Sequence, residues 1–167
     1  MVRLKPLSKE AIPSALAKAE RYRLLNEPGE AESICLDILE IDRDNRDAQI
    51  TLLLALTDQF PHESSTRAVA RAGEVARALT DEYDRAYYSG IVRERRAKAV
   101  LQHHRYGATA TAIEWLREAM EFFERAETVR PPNNDDALLR WNACARLLMQ
   151  LPDVQPDLSA HEPIQLE

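Results

Sequence analysis

The densest group of chemistry-bearing side chains is basic: Arg93, Arg95, Arg96, Lys98 and Arg105, offset only by Glu94, give the segment 93–105 a net charge of +4. Such a cluster could bind phosphates or an acidic partner. The competing reading is internal. The segment that follows carries Glu114, Glu118, Glu121, Glu124 and Glu127 on a helix that would run antiparallel to it. Surface pairing of that kind contributes about 0 to 1 kcal/mol per pair. His103 and His104 resemble half a metal site, but adjacent residues on a helix diverge by about 100°. Cations near a helix C-terminus are favourable without any metal, so no metal ligands are assigned. Cys35 and Cys144 fall on apolar helical stripes and lack a CxxC partner, which marks them as small core residues. Trp115, Phe122 and Phe123 follow helical spacing and read as core. No Ser/His/Asp order, glycine-rich phosphate loop or HExxH motif occurs. The residues therefore argue for a non-enzyme that uses no cofactor.

Composition narrows the class further. The 167 residues suit one compact domain or a short repeat array, and 28 acidic against 22 basic side chains give a net charge of -6. A dedicated nucleic-acid binder is usually basic overall, so nucleic acid is disfavoured as a partner. Of the 22 basic residues 18 are arginine, which favours bidentate pairing with carboxylates. The longest nearly apolar run, Ile50 to Leu56, falls far short of the roughly 20 residues that cross a bilayer. Two cysteines, no Asn-X-Ser/Thr sequon and an amino terminus, MVRLKPLSKE, without an apolar segment point to the cytoplasm.

The elements that must position these residues are helices, delimited by Pro28-Gly29, Pro61, Gly107 and Pro131-Pro132. A first helix is expected from about Ser8 to Leu25, with Ser8 as N-cap and the stripe Ile12, Leu16, Ala19, Tyr22 and Leu25. A second carries Ala31, Ile34, Cys35, Ile38, Leu39 and Ile41 and stops at the polar run Asp42 to Asn45. A third, about Arg46 to Gln59, is apolar almost all round and must be covered on more than one side. Pro61 suits the first turn of a fourth helix reaching about Leu79. Thr80 reads as the N-cap of a long fifth helix, to about His104, in which Glu94 could pair with Lys98 one turn on. A sixth helix, about Ala108 to Arg130, ends at the double proline. Asn134 caps a seventh with Ala137, Leu138, Trp141, Cys144, Ala145 and Leu148 on its buried side. Residues 1–151 thus form one helical domain, and 152–167, polar and proline-containing, read as a disordered tail.

Helices two, four and six share a spacing. Ala31, Cys35 and Ile38 match Ser65, Val69 and Ala72, and then Ala119, Phe123 and Ala126. The first offset is 34 residues and the second 54, which is 34 with an insertion of 20. Pro28 and Pro61 lie 33 apart at the corresponding turns. A 34-residue helix-turn-helix period with a small, a larger and another packing residue resembles the tetratricopeptide repeat, and Ala31 to Asn45 looks like its second helix and exit loop. The resemblance is best over residues 12–79, with a degenerate third unit over 81–131 whose helices are longer and whose first helix lacks the glycine-aromatic pair. It implies an all-α, right-handed superhelical stack of about seven helices: two hairpins, one elongated hairpin and a closing helix from Asn134 to Leu151. The competing fold is an ordinary helical bundle with an accidental period.

The resemblance also implies a concave groove for a peptide or helix of another protein, and so an adaptor or small chaperone. Its lining would be Leu16, Glu20 and Arg23 in the first repeat and Asp47, Ile50, Leu54 and Thr57 in the second. The family's carboxylate clamp is absent, because Leu16, Glu20 and Thr51 stand where its lysine and asparagines belong. Ile50 and Leu54 either face a partner or a second copy of the chain, or are buried by the long hairpin Asp81 to Arg130. The alternative function is nucleic-acid or acidic-partner binding through the Arg93 to Arg105 cluster.

Overall fold

The computed structural model describes residues 2–62, 66–103 and 106–152. Among them the regular structure is entirely helical: a single 3₁₀ turn, Lys9–Ala11, and α1 (Ile12–Leu24), α2 (Pro28–Ile41), α3 (Arg46–Asp58), α4 (Thr66–Ala78), α5 (Glu82–Gln102), α6 (Ala108–Thr128) and α7 (Asp136–Gln150). No helix among the described residues is long and apolar enough to cross a membrane. The proposed tail, 152–167, lies outside the described residues apart from Pro152.

The helix starts obey capping chemistry, with local departures from the sequence expectation. Ser8 precedes the 3₁₀ turn without a side-chain cap bond, and Pro13 sits in the first turn of α1, where its missing N–H costs nothing. The Asn45 side chain accepts the Ala48 N–H at 2.9 Å and starts α3. Asp81, not Thr80, caps α5, its carboxylate accepting the Asp84 N–H at 2.9 Å. The residue before α7 is Asp135, while Asn134, one position earlier, accepts the Asp136 N–H at 2.9 Å. Pro61 does not open α4. It lies in a turn that prolongs the end of α3 through three-residue hydrogen bonds, Phe60 to Thr57 at 3.2 Å and His62 to Gln59 at 3.1 Å. A proline can occupy that turn because it needs no donor there.

Each helix packs on its successor, and in addition α1 touches α3 and α3 touches α5. The all-round apolar α3 is accordingly covered by α1, α2, α4 and α5, and it buries Ala48, Leu52, Leu53, Ala55 and Leu56. The core has two parts. One joins α1 to α4 with Val92 and Ala99 of α5; the other joins α5, α6 and α7 around Leu116 and Phe123. Leu54 and Tyr88 pack against both. The spaced triads lie on buried faces: Ala31, Cys35 and Ile38 on α2, Ala72 with half-buried Val69 on α4, and Ala119, Phe123 and Ala126 on α6. Ser65 lies outside the described residues.

The elongated hairpin is as the sequence implied, two antiparallel helices of 21 residues each. The turn between them places Gly107 at φ +76°, a left-handed conformation that suits glycine. Their close approach is made by Gly90, which lies against the ring of Phe123. At the other end, Arg46 clasps the nearly fully buried Asp84 bidentately, Nε to Oδ2 at 2.5 Å and Nη2 to Oδ1 at 2.8 Å, tying the start of α3 to the start of α5. That hydrogen bond to Asp84 raises the pKa of Arg46 above the usual arginine value.

Candidate functional site

The contacts of α1, α3 and α5 line up three helices side by side, and ion pairs cross them. Near the C-terminus of α1, Arg23 donates from Nε to Asp58 Oδ2 of α3 at 2.7 Å. Arg95 of α5 pairs with the other oxygen of the same carboxylate. One residue earlier, Glu94 is wholly buried and offers Oε1 to Lys98 on its own helix and to Arg140 of α7 at 3.5 Å. The ladder therefore runs Arg23–Asp58–Arg95 from α1 to α5, and Lys98–Glu94–Arg140 from α5 to α7. Burial opposes the charge of Arg140, yet the Glu94 carboxylate and the Tyr87 hydroxyl hold its pKa above the usual value. Between these pairs lies a cavity of about 350 Å³, walled by Asn26, Asp58, Glu94, Arg95, Lys98 and Arg140 among others.

The residues singled out for the groove divide into three kinds. Arg23 belongs to the ladder. Glu20 and Asp47 are exposed, Asp47 within 3.5 Å of Arg46, and Leu16 and Ile50 are half-buried. Thr57 and Leu54 serve the packing. Thr57 is almost fully buried, its hydroxyl donating to the Leu54 carbonyl at 2.8 Å, although it also reaches the cavity wall. Leu54 is half-buried against both parts of the core, because α5 comes close enough to α3 to cover it.

The basic cluster is dispersed over several contacts. Arg93 pairs with Glu118 of α6 at 2.9 Å, Arg95 with Asp58, and Lys98 with Glu94. Arg96 lies over the Trp115 ring at 3.8 Å, where burial and then the neighbouring Arg93 lower its pKa. Arg105 and His104 lie outside the described residues. Cys35 and Cys144 are free and buried. Burial pushes both thiols up to about 12, with Glu94 a secondary cause at Cys144, so neither carries a thiolate near neutral pH. Among the described residues no three His, Cys, Asp or Glu side chains converge in a way that could hold a metal.

Sequence reasoning missed Asp58, Arg140 and Asn26. Asp58 was within reach of the pattern, since it follows Leu54 by one helical turn on the stripe of Ile50 and Leu54. Arg140 and Asn26 have no local signal, because stacking alone brings α7 and the α1–α2 turn to the cavity. Comparison of the chain with protein-family models, with curated proteins and with solved structures finds no match.

Proposed function

We propose that this chain is a non-catalytic protein-interaction module, an adaptor or small chaperone. In this reading it is built as a tetratricopeptide-like superhelical stack whose alternate helices receive a peptide or helix of a partner. The observation that carries the reading is the contact order, in which α1 meets α3 and α3 meets α5 while every helix also packs on its successor. Alternate helices in such a stack form one wall, and a repeat array uses its concave wall for binding. The polar cavity on α3, α5 and α7 and the half-exposed Ile50 supply both polar and apolar anchoring on that wall.

Selection of displayed random peptides against the full chain, followed by counter-screening, tests the reading. Glu20→Arg and Ile50→Glu change the wall at exposed and half-buried positions without cutting the ladder. Enriched peptides should lose at least tenfold in affinity for the double variant, with its helical content unchanged. Peptides that bind both proteins equally, or a turnover activity in the purified chain, would defeat the proposal.

A further inference from the structure

We propose that the cavity on α3, α5 and α7 takes an acidic side chain, aspartate or glutamate, from an extended partner peptide, an inference that rests on the groove reading above. Three cations wall the cavity, Arg95, Lys98 and Arg140, against two carboxylates, Asp58 and Glu94, one of which is shared with Arg23 beside the wall. The wall thus carries one positive charge in excess, on a chain whose net charge is -6. A recess with low-dielectric walls focuses such a field and concentrates anions.

A second observation concerns the other polarity. Glu94 is wholly buried in the cavity wall, both of its cationic partners sit on Oε1, and Oε2 has no hydrogen-bond partner among the described residues. A buried acceptor of this kind calls for an N–H. A peptide brings both complements together: a side-chain carboxylate for the surplus positive charge, and a backbone N–H for Oε2. A phosphodiester chain brings no such N–H from its backbone. The cavity, about 350 Å³, is at the small end of ligand sites, which suits a side chain with its flanking backbone.

The test is a titration of the ¹⁵N-labelled full chain at low salt with peptides blocked at both ends: a Gly-Glu repeat, a Gly-Gln repeat and a Gly-Lys repeat. A Gly-Gln repeat with a free carboxyl terminus completes the series. The Gly-Glu peptide should shift the amides of Asn26, Asp58 and Gln102 and bind at least tenfold more tightly than Gly-Gln. Arg140→Gln should weaken it about tenfold. Should Arg140→Gln fail to fold, Lys98→Gln, at a half-exposed side chain, reads the same loss. Shifts centred instead on a second recess, where Arg77 of α4, Arg85 of α5 and Arg125 of α6 meet, or equal binding of the Gly-Gln peptide with a free carboxyl end would overturn the inference. If neutral or basic peptides shift the groove amides and the acidic one does not, this inference fails and the groove stands. If no peptide reaches those amides, both fail.

Discussion

Replacing Gly90 by alanine sets two effects against each other, and the geometry says which wins. A Cβ built on Gly90 would stand 2.5 Å from Phe123 Cε1, 2.8 Å from Cδ1 and 2.9 Å from Cζ. All three atoms belong to one fully buried ring, which also leans on Tyr87 with centroids 5.8 Å apart and has no route to solvent. Alanine in a helix interior is favoured over glycine by about 1 kcal/mol. Overpacking a core contact costs about 1 to 3 kcal/mol, and an immovable ring places this case in the upper half. The expected net loss for Gly90→Ala is about 1 to 2 kcal/mol. Gly73 of α4 is the control, since its Cβ would meet only Arg77 Nη1 at 3.2 Å, the far end of a flexible side chain. Gly73→Ala should therefore gain about 0.5 to 1 kcal/mol. Urea unfolding followed by circular dichroism, at constant m, reads both values. Phe123→Leu in the Gly90→Ala background should cost less than the two single losses combined, with a coupling above about 0.5 kcal/mol. A Gly90→Ala variant as stabilised as Gly73→Ala would refute the close approach of α5 and α6.

Three further outcomes follow from the same contacts. Arg46→Ala strips the nearly buried Asp84 of its bidentate partner and should lower stability by about 1.5 to 3 kcal/mol, with Arg46→Lys intermediate; equal urea midpoints for all three proteins would show the clasp to be idle. Burial raises Cys35 and Cys144 from 9.0, and Tyr83 and Tyr88 from 10.0, to about 12, so the unfolded chain releases these protons first. Their contribution is fully present below pH 9 and declines from pH 9 to 12, at roughly 1.4 kcal/mol per pH unit for each group that titrates only when unfolded; a flat melting temperature from pH 9 to 11.5 would contradict it. Leu54→Asp buries a charge against both parts of the core and should cost several kcal/mol, whereas Ile50→Asp should cost about 1 kcal/mol or less; thermal melts that rank the pair the other way would put the α3–α5 contact in doubt.

The helices were legible because the apolar period of 3.6 survives translation into packing. The stripe around Ala31, Cys35 and Ile38 is the buried face of α2, and a helix apolar in every direction, α3, is the one that four others surround. The ends were less legible, and for a definite reason. Thr80 and Asp81 are both competent N-caps, as are Asn134 and Asp135, and only the path of the chain decides between neighbours. Pro61 fits an N1 position by propensity, but it fits equally well in a turn that needs no donor, and the tightened end of α3 takes it.

The ladder was readable in Arg23, Glu94, Arg95 and Lys98, and unreadable in Asp58, in Arg140 and in the pairings that cross between helices. Arginine dominates the basic residues, and among the described residues every ion pair but Lys98–Glu94 is made by arginine. The composition thus foretold the kind of contact. The Lys98–Glu94 pair is a neighbour relation on one helix, so spacing alone finds it. Arg23–Asp58 spans 35 residues and Arg140–Glu94 spans 46, distances over which no helical period operates. Those pairs exist because stacking brings helices distant in sequence together. The same stacking hides Glu94 completely, so the partner that spacing gives Lys98 is a buried carboxylate with one oxygen left without a partner among the described residues. A pair on a helix surface is worth little, whereas a buried acceptor must be answered, so the stacking that brings Arg140 of α7 to Glu94 turns an ordinary helical spacing into the feature on which the proposed binding rests.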